Sequence, residues 1–168
     1  SLLSLENLIH RHGLEVFDVE LNDVNGGSYR IYIKHQGNDK KLNIPKNAAK
    51  RITNLRKFEK KLGLNDIKVY GQFVIRVNKL KDQLVAFVKN EIASGKKVHV
   101  YGASTKGNTL LQFYNLDSNI ISAAAERNPD KWGKKTIGTL IPIISEEEAR
   151  KQNPHYFLVL PWHFLKEF

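Results

Sequence analysis

The side chains with the most chemistry within reach of one another lie in the run Tyr101-Gly102-Ala103-Ser104-Thr105-Lys106-Gly107-Asn108-Thr109. Two hydroxyls and an ammonium sit between two glycines, and an amide and a third hydroxyl follow. No strong base or activated nucleophile is among them, so the chemistry on offer is the holding of an anion. Glycine lets the backbone turn sharply and approach a ligand closely. A helix starting at such a turn offers unpaired N–H groups and a partial positive charge, which suit a phosphate or carboxylate. Two better-defined motifs are excluded by spacing. Gly102 and Gly107 are separated as in a G-x-x-x-x-G-K loop, but Asn108 stands where its lysine belongs, and Lys106 leaves the turn earlier. The dinucleotide pattern G-x-G-x-x-G fails at Ser104. The same residues also suit a ligand-free strand-to-helix turn, with Ser104 and Thr105 as caps and Lys106 in solvent. Local sequence leaves both readings open.

Two more polar clusters follow apolar runs. Glu126-Arg127-Asn128-Pro129-Asp130-Lys131 follows Ile120 to Ala125, and Trp162-His163, within the closing run Pro161-Trp162-His163-Phe164, follows Tyr156 to Leu160. Arg127 and Lys131 read either as phosphate or sugar contacts or as an exposed loop pair. Trp162 reads as a stacking surface or a packing residue. His99 alternates with Val98 and Val100 and reads as a packed strand residue. His10 and His12 lie two apart on different helix faces, which argues against metal ligation.

The elements that must position these clusters are readable from periodicity. Leu2, Leu3, Leu5, Leu8 and Ile9 form a helical stripe; Leu14 to Leu21 and Ser28 to Lys34 alternate as strands about the turn Asn25-Gly26-Gly27. Ile52, Leu55, Phe58, Glu59 and Leu62 have helical spacing up to Gly63. From Val69 to Ser94 a longer helix carries Phe73, Val74, Val77, Leu80, Leu84, Phe87, Val88 and Ile92, with Gly95 as its stop. Burial of all eight is expected against the sheet that opens at Val98. A helix from Asn108 to Tyr114, a strand from Ile120 to Ala125, an edge strand from Thr139 to Ile143, a capping box at Ser145 and Glu148, and a buried strand from Tyr156 to Leu160 complete the series. Alternating strands and helices imply a small, mostly parallel sheet. Its ligands bind beyond the carboxyl ends of the strands, where the three clusters converge.

The first helix and two strands have too little apolar surface for a domain and read as the tail of an α/β domain. This gives residues 1–36 as a remnant helix and β-hairpin, 37–68 as a basic linker with a short helix, and 69–168 as the ligand-binding domain. The 168-residue sequence lacks methionine even at position 1 and is expected to be part of a longer chain; it also lacks cysteine, which suits a cytoplasmic protein. No run approaches the length needed to span a membrane. Of the formal net charge of +10, the stretch from Arg30 to Lys61 supplies +9. A solvated face explains this better than nucleic acid, because only Tyr32 and Phe58 interleave the charges.

Taken together, Tyr101 to Leu111, Glu126 to Lys131 with Gly133, Gly138-Thr139, Ile141-Pro142-Ile143 and Pro161 to Phe164 resemble the C-terminal domain of S-adenosylmethionine-dependent sugar C-methyltransferases, in the right order. Asn25 to Arg30 resembles a hairpin of the preceding methyltransferase domain. The resemblance implies a Rossmann-like three-layer α/β domain within an enzyme that also has a zinc domain and a methyl-donor domain. It implies methylation of a ring carbon of a nucleotide-linked keto-sugar, through an enolate that attacks the donor methyl. The C-terminal domain then helps to hold the nucleotide diphosphate. The expected contacts are Gly102 to Thr109, Glu126, Arg127, Lys131, Trp162 and His163, with Glu126 accepting a sugar or ribose hydroxyl. Asn25, Glu126 and His163 replace the family's usual histidine, aspartate and asparagine. No catalytic or metal-binding residue is expected in this chain, and neither binding of S-adenosylmethionine nor catalysis by this chain alone is expected. Two other classes remain: an RNA-associated or interaction module built on the basic segment, and a Rossmann-like domain for another phosphorylated ligand such as a nicotinamide dinucleotide.

Overall fold

The computed structural model describes residues 1–38 and 42–166. The chain forms two compact units, Ser1–Arg76 and a second beginning at Val77.

In the first unit, α1 (Leu2–His10) is followed by the antiparallel pair β1 (Leu14–Asn22) and β2 (Ser28–His35) and by α2 (Ala48–Lys61). Its core joins Leu2 and Ile9 of α1, Val16 and Val19 of β1, and Ile52 and Leu55 of α2. The helical stripe expected around Ile52 is therefore buried on one side only, with Phe58 and Leu62 left exposed. Glu59 is buried instead: its carboxylate accepts from the Leu2 amide at 2.6 Å and the Leu3 amide at 2.9 Å. A carboxylate thus satisfies N–H groups at the positive end of α1. Asp18, also buried, pairs with Arg51 across the same core. Its hydrogen bonds to Arg51 hold the carboxyl below the usual aspartate range despite burial.

α3 (Ile67–Ala93) runs from the first unit into the second. Full burial of its apolar stripe is not found. Only Val88 is fully buried, with Leu84, Val85 and Ile92 packed beside it, while Phe73, Val74, Leu80 and Phe87 are exposed. Periodicity identified the face of the helix, but the second unit's core covers only its C-terminal part.

The second unit is α/β. Four parallel strands, β3 (Val98–Tyr101), β4 (Ala124–Glu126), β5 (Ile143–Ser145) and β6 (Tyr156–Val159), lie in the order β5-β4-β3-β6. Between them stand α4 (Thr105–Tyr114) and α5 (Glu146–Lys151). Val98 and Val100 meet Val88, Leu111, Leu116 and Ile121 on one face, and Tyr101 and Ala125 meet Ala149 on the other. These are the layers of a Rossmann-like fold.

Three strands differ from expectation. Ile120 to Ala123 is not strand: a turn at Asp117, whose carbonyl accepts from the Ile120 and Ile121 amides, carries Ile121 into the core, and pairing starts at Ala124. The edge strand begins at Ile143 rather than Thr139. Thr136 and Thr139, both buried, bond each other at 2.7 Å in the loop before it, and Leu140 adopts φ 57°. The strand Tyr156–Val159 is the other edge of the sheet and is only half buried. Ser145 caps α5 as expected, accepting from the Glu148 amide at 3.1 Å.

Candidate functional site

Relative to the order of the strands along the chain, the sheet reverses direction at β3: the chain proceeds from β3 to β4 and β5 on one side, then crosses to β6 on the other. The crevice beyond the carboxyl ends of β3 and β6 is where ligands of open α/β sheets sit. Gly102 follows β3 at φ 88°, a value that favours glycine, and its amide donates to Ala125 O at 2.8 Å. Ser104 then holds extended backbone and its Oγ accepts from the Gly107 amide at 3.0 Å. Ser104 is therefore the N-cap of α4. The helix begins at Thr105, three residues before the expected Asn108, directly after its cap.

The glycines face the protein itself. A Cβ on Gly102 would lie 2.7 Å from Pro161 Cγ, and one on Gly107 would lie 2.7 Å from Leu160 Cδ1. The segment leaving β6 fills the space they leave, which seats it against the turn.

Glu126 closes the opposite wall. Its Oε2 accepts from the Ala103 amide at 3.0 Å and from Lys131 Nζ at 3.2 Å, and its Oε1 from the Arg127 and Asn128 amides at 2.9 and 3.1 Å. Burial alone would raise its pKa, but the Asn128 amide, Lys131 and the Ala103 amide outweigh burial and hold the carboxyl below the usual glutamate range. Lys131 also donates to Ala103 O at 3.0 Å, and Arg127 pairs with Glu146 at 2.9 Å. Trp132, which the sequence reading did not single out, donates its Nε1–H to Glu126 O at 2.8 Å.

Between these walls lies a cavity of about 280 Å³. Gly102, Ser104, Glu126, Arg127 and Lys131 line it, as does Ala125. Tyr101, Pro161 and Phe164 supply an apolar side. Thr105, Lys106 and Thr109 are exposed on the first turns of α4, with Asn108 half buried, and none of them lines the cavity. Trp162 and His163 do not line it either: Trp162 is 63% exposed, and its neighbours Pro161 and Phe164 form the wall instead. Tyr101, Ala125, Pro161 and Phe164 line the cavity without having been among the expected contacts. Tyr101 carried a signal, since it ends the strand that the turn follows; Phe164 carried none that separated it from Trp162.

A larger cavity of about 430 Å³ in the first unit, bounded by Val19, Leu21, Leu55 and Phe58, is mostly apolar, and the Arg51 at its edge is engaged by Asp18. No group of three or more His, Asp or Glu side chains able to hold a metal occurs among the described residues. No helix among them is long and apolar enough to cross a membrane.

Residues 23–168 match the family described as C-methyltransferase C-terminal domain. The chain belongs to this family. It is also 32% identical over 167 residues to C-methyltransferase NovU of Streptomyces niveus, a match covering 99% of this chain and 38% of that protein. The chain therefore spans well under half the length of this C-methyltransferase. The family match includes the whole second unit and its three convergent clusters.

Proposed function

We propose that this chain is the acceptor-binding portion of a longer, cytoplasmic C-methyltransferase. Its second unit holds the diphosphate of a nucleotide-linked keto-sugar where β3, β4 and β6 end. The observation that supports this most is the cavity at the reversal of strand order, with the N-terminus of α4, Arg127 and Lys131 beside it and an apolar wall of Pro161 and Phe164. At about 280 Å³ it is at the small end for a ligand pocket. It suits one part of such a substrate, with the rest lying against exposed residues such as Lys106 or against other parts of the enzyme.

Methyl transfer by such an enzyme uses S-adenosylmethionine as donor. Pro161 and Leu160 fill the space beside Gly102 and Gly107, so the glycines leave no open cradle for that donor or for any other ligand, and in this reading the diphosphate is met through the lining of the cavity. The donor site and the base that forms the enolate belong, in this reading, to the remainder of the enzyme.

Calorimetric titration with thymidine or uridine diphosphate tests the reading. Saturable binding is expected, weakened several-fold by Lys106→Ala; the absence of binding of either diphosphate would refute it. An RNA-associated role draws less support, because Arg30, Lys34, Arg51 and Arg56 of the basic segment pair with Glu20, Glu15, Asp18 and Glu6.

A further inference from the structure

An acidic residue ending the strand beside a glycine turn is, in dinucleotide-binding sheets, the acceptor for ribose hydroxyls. Glu126 ends β4 beside the Gly102 turn, yet its surroundings point elsewhere. A carboxylate has about four acceptor positions. Here the Ala103, Arg127 and Asn128 amides and Lys131 Nζ occupy them, at 2.9 to 3.2 Å. The first of these amides belongs to the β3–α4 turn, and the others to the loop after β4. Lys131, whose side chain is 39% exposed, reaches back to Ala103 O as well. One carboxylate therefore ties together two walls of the cavity and neutralises the cation that faces it.

We propose that Glu126 is the positioning residue of this cavity: it anchors the Ala103 turn to the Arg127–Lys131 loop, leaves ligand hydroxyls without a free carboxylate, and limits how strongly the cavity attracts an anion. Selection in this cavity then comes from the phosphate charge and the apolar wall, and a ribose diol contributes nothing through Glu126. The ligand part of this inference rests on the proposed diphosphate site; the anchoring part does not.

The two parts are tested separately. In the wild-type protein, a pH titration followed by amide NMR should show the Ala103, Arg127 and Asn128 N–H signals moving together with one midpoint below glutamate's ordinary 4.5. Signals that do not move, or that move with unrelated midpoints, overturn the anchor. Calorimetry with pyrophosphate, uridine diphosphate and uridine then compares the wild type with Glu126→Gln, whose fold is checked by thermal melting. Removing one negative charge and releasing Lys131 should tighten pyrophosphate about three- to ten-fold at low salt. A Glu126→Gln protein that loses affinity for uridine and uridine diphosphate while pyrophosphate is unaffected makes Glu126 a hydroxyl ligand and overturns the proposal. If the wild type binds neither pyrophosphate nor uridine diphosphate, the diphosphate site and the ligand part fall together, and the amide titration still decides the anchor.

Discussion

Gly107→Ala separates two opposing effects whose sizes the structure sets. Gly107 lies in the first turn of α4, and in an ordinary helix the change to alanine stabilises by about 1 kcal/mol. Here the new methyl would stand 2.7 Å from Leu160 Cδ1, 2.9 Å from Leu160 Cβ and 3.0 Å from Ser104 Oγ. The Leu160 Cδ1 atom can rotate away, but its Cβ is fixed to the backbone, and Leu160 is almost fully buried. Overpacking of this kind costs about 1–3 kcal/mol, and contact with an immobile atom places it in the upper half. The net effect is destabilisation by about 1–2 kcal/mol, a fall in Tm of roughly 4–16 °C for a unit of this size. Gly71→Ala is the control, because Gly71 lies within α3 with ordinary helical φ and no atom within 4 Å of its added Cβ. That variant should gain about 0.5–1 kcal/mol. Scanning calorimetry of both variants decides the matter. A Gly107→Ala protein as stable as the wild type, or more so, would show that the segment leaving β6 is not seated on α4 as described.

Two further perturbations test the buried polar groups. His99 is fully buried with neither ring nitrogen hydrogen-bonded, and burial, aided by Lys97, pushes its pKa below the ordinary 6.5. The unfolded chain therefore takes up a proton that the folded one resists: the stability is fully present above pH 6.5 and is lost as pH falls through the range below it, at up to about 1.4 kcal/mol per pH unit. Chemical unfolding at pH 7.5 and 5.5 should show this loss in the wild type and a smaller one in His99→Leu; equal losses in both would contradict it. Glu59→Ala leaves the Leu2 and Leu3 amides at the start of α1 without their charged acceptor. Urea unfolding should show a loss of about 2–4 kcal/mol, and a change under 0.5 kcal/mol would mean that the cap is not formed in solution.

How much of this was legible in the sequence depended on the range of the interaction concerned. The β3–α4 turn and the Ser145 cap were readable because the deciding contacts span three or four residues: Ser104 Oγ to the Gly107 amide, Ser145 Oγ to the Glu148 amide. The α/β class and the meeting of the Gly102 turn with the loop from Glu126 at one sheet end followed from the alternation of elements, whereas Trp162 and His163, expected beside them, do not line the cavity. The burial of α3 was not readable, since spacing marks an apolar face without saying how much of it meets a partner. The run Ile120 to Ala125 misled because an apolar stretch reads alike whether it pairs as strand or enters the core from a turn. Glu59 was noted only for its helical spacing, and its partners lie 56 and 57 residues away. Glu126 was noted as a hydroxyl acceptor because its occupation depends on Ala103, 23 residues earlier.

The most direct test of the diphosphate site is amide NMR of this chain during titration with thymidine diphosphate. Saturating shifts should appear at Gly102 to Thr109 and at Arg127 to Lys131, with the amides of α1, β1 and β2 left in place. Shifts confined to the first unit, or a spectrum unchanged at millimolar nucleotide, would contradict it.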